Sequence, residues 1–105
     1  MTDINENKTT NPLAELDPLI HSPARLNIIT NLFVVESADF IFLRNLTGLT
    51  WGNLSAHVSK LAEAGYVEVE KTIVNKKTHS VAALTEAGRS AFEQYREQMM
   101  SVLKK

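Results

Sequence analysis

The run LTGLTWGNLSAHVSKLAEAGYVEVEK, residues 46–71, changes rhythm midway, and that change decides the fold. In its first half, Leu54, Val58 and Leu61 recur at spacings of four and three, the stripe of a helix that buries one side. Thr50 stands where an N-cap belongs, with Leu49 and Leu54 placed to staple across it, and Gly65 closes the helix. From Tyr66 the pattern alternates, with Val67 and Val69 on one face and Glu68 and Glu70 on the other, as in a strand with one face in the core.

Upstream, Ser22-Pro23 is a helix start, because proline at the first position gives up an N–H that has no partner there. Leu26, Ile29, Leu32 and Phe33 then predict a core helix over roughly 23–34. Asp39 can cap a second helix carrying Phe40, Leu43 and Leu46, which Gly48 ends in a left-handed turn. Only Gly48 and Leu49 lie between it and the next helix, which makes the pair a helix-turn-helix. Before all this, MTDINENKTTNP lacks an apolar period and predicts a flexible arm over 1–12. Leu13, Leu16, Leu19 and Ile20 suggest a short helical approach broken at Asp17-Pro18.

Downstream, HSVAAL (79–84) is a second strand after the polar NKK, so the two strands form a hairpin with an exposed basic tip. Thr85 caps a final helix whose Phe92, Tyr95, Met99 and Val102 follow a three-four-three spacing, a narrow apolar seam. About 20 residues of helix span some 30 Å. Phe92, Tyr95 and Met99 can pack back on the domain, but the outer part, with Met99, Met100, Val102 and Leu103, calls for a partner. Leu13, Leu16 and Ile20 could enlarge that surface, and a two-fold homodimer is the simplest arrangement. The expected organisation is one mainly α (α+β) winged-helix domain over 13–105, with a two-stranded wing and a dimerisation helix over 86–105.

The 105 residues suit one domain with a modest core. The absence of cysteine excludes disulfides and thiolate sites. No apolar run approaches the roughly 20 residues of a membrane span, and no signal peptide is evident, so a cytoplasmic protein is expected. His21, His57 and His79 fall in separate elements without ligand spacing, so no metal or cofactor is expected, and no enzyme motif is present. The charge is uneven. Two basic residues face six acidic ones in 1–43, five face three in 44–80, and four face three in 81–105.

The polar side of the 51–64 helix carries Trp51, Asn53, Ser55, Ala56, Ser59 and Lys60. Serine and asparagine are poor helix formers, so their accumulation here lowers local stability. They are also small groups that can approach phosphates and base edges in a major groove. Trp51 could face DNA or pack on a neighbouring helix. His57, beside Val58, could be half-buried and hydrogen-bonded, or could reach a phosphate. Lys76 and Lys77, with Lys71 and His79 nearby, could neutralise backbone phosphates.

The run FIFLRNLTGLTWGNLSAHVSKLAEAGYVEVEKTIVNKK followed by LTEAGRSAFEQY closely resembles winged-helix transcriptional regulators of the MarR and ArsR-like superfamily, over about residues 19–96. It is most similar to the small group whose recognition helix reads LTxGNLSxHLxxLExAGYVEVEK and whose last helix opens LTxxGR. The resemblance implies a homodimer that binds double-stranded DNA, with the recognition helix (51–64) in the major groove and the wing (72–79) on the backbone or minor groove. By position it implies DNA contacts from Thr50, Trp51, Asn53, Ser55, Ala56, His57, Ser59 and Lys60, plus Lys71, Lys76 and Lys77. Its expected dimer surface is Leu13, Leu16, Ile20, Phe92, Tyr95, Met99, Val102 and Leu103. The chain departs from its relatives at Ala56, where a longer, often basic side chain is common, and at His79-Ser80, where arginine or lysine precedes threonine. Thiolate metal sensing, found in some ArsR relatives, cannot operate without cysteine. The competing class is a winged helix that docks a protein through Trp51 and the same helix surface. The sequence names no small-molecule effector.

Overall fold

The computed structural model describes residues 15–104; the arm 1–12, Leu13 and Lys105 lie outside the described residues. Four helices and three strands follow in the order α1 (Pro23–Val35), β1 (Ser37–Asp39), α2 (Phe40–Thr47), α3 (Trp51–Glu63), β2 (Val67–Val74), β3 (Lys77–Leu84) and α4 (Glu86–Leu103). Most boundaries sit where a local chemical signal puts them. Asp39 Oδ1 accepts the Phe42 N–H at 2.8 Å, and Thr50 Oγ1 accepts the Asn53 N–H at 3.1 Å. Gly48 ends α2 at φ 74°, a conformation favouring glycine, and its N–H returns to the Arg44 carbonyl. Ser22 makes no side-chain cap, so α1 begins on its proline alone.

The strand β1 was not expected. It is too short to show a period, yet Ala38 is buried and pairs with Ala82 of β3, making an antiparallel sheet in the order β1-β3-β2. The wing is also longer than the sequence suggests, because β2 and β3 pair out to Val74 and Lys77. Asn75 and Lys76, at φ 52° and 66°, close it as a two-residue turn whose twist suits paired strands. Val69, expected beside Val67 in the core, is 42% exposed. Its partner Ala82 on the central strand β3 is fully buried, so the alternation identifies the inward face correctly but carries no information that β2 lies at the edge of the sheet, where that cover thins.

Ile20, Ile28, Ile29, Leu32, Leu43, Leu54, Val58 and Leu61 form the fully buried centre. Residues ahead of α1 clasp this body. Asp17 Oδ1 caps the Leu19 N–H at 2.9 Å, while its second oxygen takes a short hydrogen bond from the Tyr66 hydroxyl. That bond, with burial and the carboxylate charge, pushes the Tyr66 phenol up to about 12. His21 Nδ1 lies 2.8 Å from the Tyr95 hydroxyl. Phe92 packs on Phe33 with ring centroids 4.8 Å apart. Leu16, Ile20, Phe92 and Tyr95 are therefore enclosed within the chain's own fold. Their expected place on a dimer surface is corrected, because the turns of residues 15–22 fold the apolar spacing inward against α4. Met99 is half-buried against the core, and the large apolar side chains that α4 leaves open are at its end, with Met100 50% and Leu103 71% exposed.

One junction ties these parts together. The Thr85 hydroxyl donates to the Gly65 carbonyl at 2.6 Å and accepts the Gly88 N–H at 3.0 Å. The Tyr66 carbonyl accepts the Thr85 N–H at 3.0 Å and lies so close to Gly88 that a Cβ there would sit 2.1 Å from its oxygen. A backbone carbonyl cannot retreat as a flexible side chain can. Gly88→Ala should destabilise the fold by about 3 kcal/mol, the upper end of overpacking costs, lowering Tm on the order of 15 °C. Thermal melting followed by circular dichroism measures this, and an unchanged Tm would show that the junction relaxes.

Candidate nucleic-acid interface

The helix α3 is divided sharply. Leu54, Val58 and Leu61 are buried, whereas Thr50, Trp51, Asn53, Ser55, Ala56, Ser59 and Lys60 are all exposed. The structure thus brings the expected polar set onto one open face, and the buried stripe with the Thr50 cap holds that face rigidly. Gly52, absent from the expected set, belongs to it. Its backbone is not left-handed and nothing lies within 4 Å of where a Cβ would be, so neither packing nor conformation calls for glycine. A glycine within a helix costs about 1 kcal/mol relative to alanine, which is the sequence signal that could have marked it. The outer surface from Gly52 through Ser55 and Ala56 to Ser59 is consequently low, with no long side chain to hold a groove away.

His57 lies at the edge of this face and is half-buried. Its Nδ1 is 3.1 Å from Nη1 of Arg25, a side chain on α1 that also donates from Nε to the Leu19 carbonyl at 2.7 Å. A guanidinium can only donate, so Nδ1 accepts, and the neutral imidazole carries its proton on Nε2. Burial, then the Arg25 charge, then that of Lys60 hold the His57 pKa below the ordinary 6.5. His57 is thus half-buried and hydrogen-bonded within its own chain. Arg25, 32 residues away in sequence, could not be paired with it by spacing.

Trp51 begins α3 on the opposite edge. It is 49% exposed, and the Arg44 guanidinium carbon stands 4.8 Å from its ring centroid. On the wing, Lys71, Lys76 and Lys77 are exposed but do not share a face. Lys71 lies opposite Ser80 on the side of Val67, Lys77 lies opposite Val74 on the other side, and Lys76 stands in the turn. His79 turns back toward β1, its Nδ1 3.8 Å from the Asp39 carboxylate. Ile73 is 76% exposed just below the tip, so the wing end is apolar as well as basic.

In the folded chain His57 should titrate below 6.5, and Arg25→Ala should move it upward, as two-dimensional NMR of the imidazole would show. Because the folded pKa is depressed, the unfolded chain binds the proton more readily. The stabilisation is full above 6.5 and is lost as pH falls through the lowered value. Titration at or above 6.5 would remove Arg25 as the donor to a neutral ring.

A family model described as a winged helix DNA-binding domain matches residues 24–103. An uncharacterised protein of Methanocaldococcus jannaschii is 31% identical over 86 residues, spanning 82% of this chain and 94% of its own. Among solved structures, a transcriptional regulator homologue from Pyrococcus horikoshii superposes with a TM-score of 0.85 at 25% identity, covering 90% of this chain and 96% of that one. A mutant MarR from Escherichia coli shares the fold, with a TM-score of 0.73 at 20% identity over 96% of this chain and 74% of that one. The helix-turn-helix, the rigidly presented polar helix and the hairpin wing agree with these matches: the chain belongs to the winged helix DNA-binding domain family.

Proposed function

We propose that the protein regulates transcription as a homodimer that reads a specific, pseudo-palindromic DNA site. The observation carrying this reading is the open face of α3, where Asn53, Ser55, Ala56, Ser59 and Lys60 stand clear of every packed surface while the opposite stripe is buried. Side chains of this kind reach base edges when a helix enters the major groove. Two-fold symmetry would set the half-sites about 10 bp apart, centre to centre. Lys76 at the wing apex and Lys77 beside it supply phosphate contacts, which position the protein without reading sequence. We assign the dimer to the outer part of α4, Met99 to Leu103, where Met100 and Leu103 are exposed beyond the protomer's own core. A DNA regulator of this kind acts in the cytoplasm.

The exposed Ile41, Phe42 and Leu46 on α2 favour a second reading, docking of a partner protein on the helix-turn-helix. Selection of genomic fragments by the purified chain separates the two, since recovery of no duplex even at low salt would refute the regulator. For a selected duplex, Lys76→Ala with Lys77→Ala should weaken all sequences alike and lower the log–log salt slope by about two units. Asn53→Ala should instead reduce discrimination between specific and random duplexes, by about 1–3 kcal/mol if it reads a base. Equal losses on both would assign Asn53 to the backbone. Leu103→Glu combined with Met100→Glu should give a monomer in analytical ultracentrifugation, and a persistent dimer would place the interface elsewhere.

A further inference from the structure

Two arginines from outside the recognition helix meet its two edges, and they differ in what they have left to offer. Arg25 has Nε and Nη1 engaged by the Leu19 carbonyl and by His57. Arg44 is exposed in the last turn of α2, lies over the exposed Trp51 ring, and has no carboxylate partner among the described residues. A guanidinium stacked on an aromatic face still presents its N–H edge to solvent, in a fork that matches two phosphate oxygens. Stacking also limits the rotamers of a long side chain, so less freedom is lost when that edge is used. The backbone beneath Arg44 is held as well, because its carbonyl accepts the Gly48 N–H at 2.8 Å.

We infer that Arg44 and Trp51 form a phosphate-binding plate, in which the indole is the platform and the guanidinium edge donates to one backbone phosphate beside the recognition helix. This rests on the DNA-binding reading above. In a helix-turn-helix the first helix crosses the backbone while the start of the second reaches the bases. Arg44 ends the former and Trp51 begins the latter, so their stack sits where a phosphate strand passes between the two. The plate also accounts for a large ring left half-exposed at the start of α3. Trp51 supports the contact and Arg44 makes it.

The test uses the full chain with its selected genomic duplex and with a random duplex. Arg44→Ala should weaken both by about tenfold, as expected for one lost hydrogen-bonded charge contact, and should lower the salt slope by about one unit. Arg44→Lys keeps the charge but not the fork, so it should retain the slope while losing part of the affinity. In a Trp51→Ala background, Arg44→Ala should cost less than in the wild type. Melting by circular dichroism should be unchanged for both Arg44 variants. If wild type binds and Arg44→Ala has wild-type slope and affinity, the plate is refuted and the DNA reading stands. A loss confined to the selected duplex would make Arg44 a base reader, overturning the phosphate assignment. If wild type binds no duplex at low salt, both readings fall together.

Discussion

The close approach of Gly88 to the Tyr66 carbonyl is the constraint on which the rest of the molecule depends. At that point the exit of α3, the base of the wing and the start of α4 lie within hydrogen-bond reach, and the Thr85 hydroxyl bonds to both sides of the junction. A side chain at Gly88 would push α4 away from the sheet. With α4 would go Phe92 and Tyr95, the contacts that close the core over α1 and the turns before it. The direction in which the wing leaves the body is set at the same place.

Upon that frame α3 carries two conflicting requirements. Its exposed residues are weak helix formers with small polar side chains, and Gly52 weakens the first turn further. Its stability therefore comes from elsewhere: the Thr50 cap at one end, Leu54, Val58 and Leu61 along the buried side, and the Gly65 junction at the other end. The division lets the outer face be chosen for what it touches, because that face contributes little to holding the helix. The same logic explains the edges. Arg25 and Arg44 come from neighbouring helices, bringing long charged side chains to α3 without crowding its low central surface.

Much of this was legible from local signals. Asp39, Thr50, Thr85 and Gly48 act at helix ends through atoms a few residues away, so their roles can be read from neighbours in sequence. The exposed set on α3 follows from one helical period around a clear apolar stripe. The state of His57 and the surroundings of Trp51 were not legible, because each depends on an arginine brought in by helix packing. Gly52 carries a visible signal, a glycine inside a helix, but in a motif that signal reads equally well as punctuation.

The chain's sequence by itself determined the helices of the helix-turn-helix, the hairpin, the buried stripe of α3 and the family resemblance, since these rest on caps, periods and short spacings. Only the tertiary structure decided that Leu16, Ile20, Phe92 and Tyr95 close the chain's own core, that three residues of β1 join the sheet, and that Val69 stays half-exposed on the edge strand. It also decided that His57 is a neutral acceptor and that Arg44 lies on Trp51. The physical reason is common to all of these. A side chain's local pattern shows which face it lies on, while what covers that face depends on distant segments meeting in space.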